Sequence, residues 1–205
     1  GRVLFRAPAS GLAFAPLFEA AGVQGAESIA VAPILLCGQA PGARVHALGR
    51  PFDDRSGDRL RDWLGVDRAT FYDRRRFAVL PMAFCFPGYD AKGADLPPPP
   101  LCAETWRAEV MAHLQPRLTL LVGGSAQRWH LGTREVTATV ARWRDFGPGV
   151  IPLPHPSWRN SGWLKRNPWF EAEVLPYLRE RVQRILTSAN PAAIRSSEMD
   201  LPVVS

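Results

Sequence analysis

The sequence predicts an α/β fold, a three-layer α/β/α sandwich around a mostly parallel four-stranded sheet. Four short apolar runs alternate with segments of helical periodicity, which is typical of parallel strands joined by crossover helices. Glycine- or proline-rich loops follow these runs, as at the ligand-binding edge of such sheets. A chain of 205 residues with 46% hydrophobic content can bury one sizeable core. We therefore expect one domain over residues 1–186 and a loosely ordered, polar tail over residues 187–205.

The strands are predicted from continuous apolar runs that end at a turn signal. The first run stops at Gly38, and its lack of polar alternation indicates a strand that is buried on both faces. The fourth run leads directly into His155. The expected strands are residues 32–37, 77–82, 118–122 and 149–153.

The helices are predicted from apolar residues spaced three and four apart. Ser56 or Gly57 is expected to open a helix whose apolar face carries Leu60, Trp63 and Leu64. Further helices are expected at residues 12–18, near 104–114 and at 126–131.

Prolines mark the last helix and one connector. Asn167 and Pro168 provide a cap and a first-turn proline for a long C-terminal helix, and Pro176 is expected to kink it. The four consecutive prolines at residues 97–100 predict a stiff surface connector.

Composition favours an anionic partner. The net charge is +6 and the pI is near 9.9, which is typical of domains that bind nucleic acid. Lys92 and Lys165 are the only lysines, so arginine supplies nearly all of the positive charge. Arginine binds phosphate well through its forked N–H donors, although a GC-rich genome also gives a high ratio of arginine to lysine without any functional reason.

The chain shows no sign of export or membrane insertion. No run of eighteen apolar residues exists, and the N-terminal residues lack a secretory pattern. Three cysteines without short spacing suit a reducing compartment. We expect a cytoplasmic monomer.

Four loops are expected to converge. Each follows the carboxyl end of a predicted strand, where open α/β sheets bind ligands. The loops are Gly38–Gly42, Met82–Pro87, Gly123–Ser125 and the segment around His155. The sequence therefore predicts a single cleft at this edge of the sheet.

The loop around His155 carries the densest chemistry. Pro154 and Pro156 flank the histidine and stiffen the backbone, and an aromatic, a cation and an amide follow at Trp158, Arg159 and Asn160. In isolation, a proline-rich surface turn with a satisfied histidine explains the pattern equally well.

Two functions fit such a cleft. An enzyme acting on a base would use Phe52 to stack on a flat ring, Gln39 to read its edge, His155 to stabilise negative charge, and Trp158 with Arg159 to fill the gap in a duplex. The alternative is a domain that binds mononucleotides or transfers phosphate. That alternative lacks support, because neither glycine-rich phosphate-binding motif is present.

Two motifs in these loops resemble those of the uracil-DNA glycosylase superfamily. Gly38–Gly42 followed by Gly49–Phe52 is similar to the first motif in its bacterial family 4 form. His155–Asn160 is similar to the second motif, and its Arg-Asn ending is most similar to the single-strand-selective monofunctional branch. The resemblance covers about residues 32–186.

The resemblance implies a monofunctional hydrolase that flips uracil out of single- or double-stranded DNA and cuts its N-glycosidic bond, leaving an abasic site. His155 would stabilise the departing base, with Gln39 and Asp53 as further catalytic candidates, and Arg159 would fill the vacated space. The implied uracil-binding residues are Gly38, Gln39, Ala40, Phe52, Met82 and His155, and the implied DNA-binding residues are Ser157, Trp158, Arg159 and Asn160.

The first motif departs from the family pattern. Where related enzymes carry a carboxylate that activates water, this chain has Gln39 or Ala40, and neither can act as a base. The water is then either positioned by Gln39 and backbone carbonyls or assisted by His46, Asp53 or Asp54.

Base selection also departs from the pattern. Residues 80–83 lack the asparagine that reads uracil in several families, and Gly42 replaces the tyrosine that excludes thymine in family 1. Selection would have to rest on backbone groups, Gln39 or another loop.

Family 4 enzymes hold a four-iron cluster on four cysteines. Cys85 and Cys102 match the later two, residues 7–10 offer no earlier pair, and Cys37 is expected to be a buried strand residue. We expect no cluster, no other cofactor and no metal.

Three hypotheses remain open from the sequence: an active uracil-DNA glycosylase, a protein that binds uracil or abasic sites without turnover, and a nucleotide hydrolase on the same fold. The sequence leaves the preferred base among uracil, hypoxanthine and xanthine undetermined, as well as the strand preference.

Overall fold

The computed structural model describes residues 32–189 and forms a four-stranded sheet in the order β2-β1-β3-β4. The strands are β1 (Ile34–Cys37), β2 (Phe77–Val79), β3 (Leu118–Val122) and β4 (Val150–Leu153), and every pairing is parallel. The chain runs outward from β1 to β2 on one side and returns to β3 on the other. The carboxyl ends of β1 and β3 therefore form a topological switch point, where such sheets open a crevice.

Alternate strand residues separate into two cores, one on each face of the sheet. Ile34 and Leu36 pack in one core, whereas Leu35 and Cys37 pack in the other. All five residues of β3 are buried, as its continuous apolar run predicts. The three-layer α/β/α sandwich around a parallel sheet is thereby confirmed.

Eight α-helices within the described residues cover this sheet. They are α1 (Ala43–Leu48), α2 (Arg55–Leu64), α3 (Arg68–Tyr72), α4 (Pro100–Ala112), α5 (Gly124–Leu131), α6 (Val136–Ala141), α7 (Ser161–Arg166) and α8 (Leu175–Ser188). Short 3₁₀ turns lie at Trp143–Phe146 and Trp158–Asn160. Over residues 32–189, no helix is long and apolar enough to cross a membrane.

Helix α2 begins differently from the prediction. Its N-cap is Asp54, whose carboxylate accepts the Gly57 N–H at 2.9 Å, so neither Ser56 nor Gly57 opens the helix. An aspartate cap outranks a glycine because it satisfies an otherwise unpaired N–H. The predicted connector at residues 97–100 is also shorter than expected, since Pro100 is the first residue of α4.

The C-terminal helix begins with a π-helical turn. Phe170–Val174 forms this turn, and the Leu175 N–H closes it by donating to the Phe170 carbonyl. Pro176 follows in the first turn of α8, where its missing N–H costs little, so the π turn accommodates the proline that was expected to kink the helix.

The predicted boundary of the tail is two residues early, because α8 continues through Ser188. The remainder of the tail, residues 190–205, lies outside the described residues. The predicted helix at residues 12–18 also lies outside them.

Gly57 is required by the loop that precedes α2. A Cβ at this position would lie 1.7 Å from the Phe52 carbonyl oxygen, so Gly57→Ala must push that backbone away. We expect the free energy of unfolding in urea to fall by about 1–3 kcal/mol. Gly162→Ala is the matched control, because its Cβ meets only the flexible Arg166 side chain at 3.8 Å. Equal stabilities of the two variants would contradict the contact.

Candidate functional site

A cavity of about 400 Å³ lies at the switch point. Three of the four predicted loops contribute to its lining, while the Gly123–Ser125 turn lies behind His155 rather than in the cavity wall. The predicted residues that line it are Gly38, Gln39, Ala40, Phe52, His155, Ser157, Arg159 and Asn160. Pro81, Phe84, Asp54 and Asp95 line it as well.

The backbone fixes the proton on the His155 imidazole. The Ser157 N–H donates to His155 Nδ1 at 3.2 Å, so in the neutral ring the proton resides on Nε2. Burial lowers the pKa of His155, and the carboxylates of Asp54 and Asp95 offset part of this effect. At neutral pH the cavity therefore contains an uncharged hydrogen-bond donor.

Two further contacts hold the His155 loop. The Asn160 side-chain amide donates to the His155 carbonyl at 2.7 Å, and Arg59 donates to the Ser157 carbonyl at 2.9 Å. Behind the imidazole, Gly123 has a φ of 85°, and a Cβ there would lie 3.4 Å from the His155 Cβ. These contacts hold the imidazole in one orientation, as a group that must donate a hydrogen bond to a defined atom requires.

Phe52 forms a rigid wall of the cavity. It is the one non-glycine residue in the described chain with positive φ, at 56°, a conformation that costs free energy and often marks a functional site. Its ring meets Phe71 edge-on with centroids 6.2 Å apart, and Arg61 donates to its carbonyl at 3.2 Å. A Cβ on Gly38 would touch the Phe52 ring at 3.4 Å, so glycine there lets the ring lie close to the first loop.

Three predicted site residues do not line the cavity, namely Trp158, which is described below, and Asp53 and Met82. The Asp53 carboxylate pairs with Arg68 at 2.7 Å and with Arg50 at 3.7 Å, and the Arg68 hydrogen bond lowers its pKa. The Met82 residue is 5% exposed and packs in the second core, and its N–H donates to the Gly38 carbonyl at 2.9 Å. Neither side chain reaches the place where the sequence predicted it to act.

Trp158 and Arg159 lie together at the outside of the loop. Trp158 is 69% exposed and does not line the cavity, whereas Arg159 does, with its guanidinium 5.7 Å from the indole centroid. An exposed aromatic ring and a cation at the mouth provide groups that can meet nucleic acid.

Two carboxylates in the cavity wall differ in how far the sequence predicts them, since it singles out Asp54 only as a possible aid to the water and does not single out Asp95. Asp95 lies on a hairpin closed by its bridge to Tyr89 and by the Leu96 N–H donating to the Gly88 carbonyl at 2.9 Å. Its Oδ2 lies 3.5 Å from where a Cβ on Gly42 would be. The turn residues near Gly93 signal such a hairpin, but its packing over Gly42 is a long-range contact.

A buried arginine supports the β2 end of the cavity. Arg107 donates to the carbonyls of Leu80 and Pro81 at 3.3 and 3.2 Å, and to His130 Nε2 at 2.9 Å. Burial lowers the pKa of His130 to about 4, and the positive charge of Arg107 makes a smaller contribution in the same direction. This imidazole therefore stays neutral at pH 7 and accepts the hydrogen bond from Arg107. The contacts fix the backbone that carries Pro81.

The cysteines do not fit a four-cysteine cluster. Cys37 is buried in β1 beside Arg107, and burial raises the pKa of its thiol to about 11. Cys102 lies near the exposed Cys85, and burial followed by that neighbour raises the pKa of the Cys102 thiol. Within residues 32–189, no group of three or more His, Cys, Asp or Glu side chains is arranged to hold a metal ion.

The arrangement combines a stacking wall, a neutral donor and two carboxylates at the switch point of a parallel sheet. A family model described as the uracil DNA glycosylase superfamily matches residues 27–179, about three quarters of the chain. Members of this superfamily are, in general, hydrolases that act on DNA. The chain belongs to the uracil-DNA glycosylase superfamily.

Proposed function

We propose that this protein is a monofunctional, family 4-like uracil-DNA glycosylase that removes a deaminated base from DNA and leaves an abasic site. The proposal rests chiefly on His155, whose neutral ring has a donor at Nε2 and lines a cavity that the Phe52 ring also lines. A flipped pyrimidine would stack on Phe52 and present its oxygen to this donor.

The leaving group explains why a neutral donor helps. As the bond between C1′ and the base nitrogen breaks, its electron pair moves into the ring and negative charge grows on the pyrimidine oxygen. A donor held in place for that charge stabilises the transition state more than the ground state. Because the loop contacts already clamp His155, little reorganisation is needed during the reaction.

We assign the attacking water to Asp54 rather than Asp53. The oxygen of the water bonds to C1′ while one of its protons passes to the carboxylate. Asp54 lines the cavity, and it raises the pKa of His155 more than Asp95 does, whereas Asp53 is engaged by two arginines outside. Gln39 lines the same cavity and would help to position the water and the base edge.

The DNA would be held by the exposed groups at the mouth. Arg159, with Trp158 beside it, would occupy the space that the base vacates, and Ser157 would face the backbone. Asn160 acts indirectly in this proposal, because its amide is used to hold the His155 carbonyl. No metal or iron-sulfur cluster is needed for this chemistry.

One observation favours a second candidate, a protein that binds uracil or abasic sites without turnover. The first motif carries Gln39 and Ala40, so it provides no carboxylate for the water. A binding protein would keep the stacking wall and the donor and would not need Asp54.

An assay with defined oligonucleotides tests the proposal. Single- and double-stranded DNA, each carrying one uracil, hypoxanthine or xanthine, is incubated with the protein and then treated with alkali to cut at abasic sites. We expect cleavage of the uracil-containing strands. Uracil DNA that stays intact while the protein retards it on a gel would favour the binding protein, and cleavage of free nucleotides without DNA binding would favour a nucleotide hydrolase.

A further inference from the structure

A second cavity of about 570 Å³ adjoins the first. The two cavities share Gly49, Pro51 and Val79 in their walls, so they lie side by side. The residues special to the second cavity include three arginines and a tyrosine, namely Arg50, Arg68, Arg74 and Tyr72. It therefore differs from the first cavity, which Asp54 and Asp95 line together with Arg159, in having three arginines and no carboxylate in its lining.

Asp53 holds two of these arginines in place. Its carboxylate binds Arg68 at 2.7 Å and Arg50 at 3.7 Å, from the loop before α2. Two guanidinium groups on one carboxylate leave a net positive charge, and both arginines remain about half exposed. An anion arriving from solvent can therefore reach them without breaking up a buried core.

The aromatic ring in this cavity is already covered. The guanidinium carbons of Arg50 and Arg68 lie 5.4 and 5.2 Å from the Tyr72 ring centroid, and Arg61 lies 5.8 Å away. The Tyr72 hydroxyl donates to the Pro51 carbonyl at 3.0 Å, which fixes the ring. Guanidinium groups over the Tyr72 ring leave less of it open to a nucleobase, and their forked N–H donors suit phosphate oxygens.

We infer that the cavity formed by Arg50, Arg68 and Arg74 binds backbone phosphates of the DNA strand next to the nucleotide whose base enters the first cavity. The inference rests on the proposed function and adds the path of the strand. Shared walls bring the neighbouring phosphates within reach, and Asp53 orients the arginines rather than the water. This role also explains why a carboxylate adjacent to Asp54 faces away from the first cavity.

The test measures binding of a fluorescent single-stranded oligonucleotide that contains no uracil, over a series of salt concentrations. The triple variant Arg50→Gln, Arg68→Gln, Arg74→Gln is expected to raise Kd by about tenfold or more at low salt. Each lost phosphate contact should also reduce the slope of log K against log salt by about 0.7, or about 2 for three contacts.

The matched control removes the same charge elsewhere. Arg144, Arg181 and Arg184 are arginines that line neither cavity, and two of them pair with the carboxylates of Glu173 and Glu180. Changing these three to Gln is expected to leave the salt slope close to the wild-type value. Equal losses in both triple variants would show that only net charge matters and would overturn the site.

Two further measurements distinguish a loss of the phosphate site from misfolding and from failure of the proposed function. The Arg50 side chain is 56% exposed, so Arg50→Gln alone should keep the fold. It should reduce the salt slope by about 0.7, which is about a third of the reduction expected for the triple variant. An unchanged slope in this folded variant would also overturn the site. A wild-type protein that binds this DNA through the arginines yet leaves uracil in place would refute the proposed function alone.

Discussion

Replacing His155 with alanine is expected to lower the rate of uracil excision by about two to three orders of magnitude, the usual loss when one transition-state donor is removed. The Ser157 N–H holds Nδ1, so Nε2–H is the donor that disappears. The rate is measured in single turnover with saturating protein, which separates chemistry from binding. His46→Ala is the control, because His46 also lines the cavity but is exposed, and it should retain most of the rate.

The pH profile distinguishes a neutral donor from a charged one. Burial lowers the pKa of His155 from its usual value of 6.5, so the ring is mostly neutral at that pH and more so above it. If the neutral ring is the active form, protonation of His155 should lower the excision rate, and this loss should occur below pH 6.5. A rate that rises as the pH falls through 6.5, and does so only when His155 is present, would mean that the imidazolium is the active form.

The sheet was predictable because buried parallel strands have a simple signature. β3 matches its predicted bounds of residues 118–122, and the other three strands fall within theirs. Each strand must be apolar on both faces, so a short run bounded by glycine or proline identifies it. The order of the strands then places their loops at one edge, which is why the convergence on the cavity was also foreseeable.

Two features of the site were not predictable from the sequence, each for a physical reason. Asp53 and Asp54 are adjacent and chemically identical, and only the capping of α2 by Asp54 decides which of them faces the cavity. Asp95 reaches the cavity through a hairpin that packs over the first loop, a contact between residues more than fifty positions apart. Local patterns predict caps and turns but do not indicate on which distant loop a turn will pack.

Asp54→Asn is expected to reduce the excision rate by about a hundredfold, because general-base assistance typically contributes at least this much. The substitution isolates the charge. Asparagine caps a helix as well as aspartate does, so its side-chain oxygen can still accept the Gly57 N–H and α2 should remain stable. Measuring the free energy of unfolding alongside the single-turnover rate verifies that the fold is kept.

Asp53→Asn supplies the matched control, with the same change one residue earlier in the chain. Because Asp53 binds arginines outside the first cavity, its replacement should leave most of the rate at saturating DNA. Asp95→Asn completes the set, since its carboxylate is the other one in the cavity wall. If Asp95→Asn lowered the excision rate and Asp54→Asn did not, Asp95 would be the residue that activates the water and the assignment to Asp54 would be wrong.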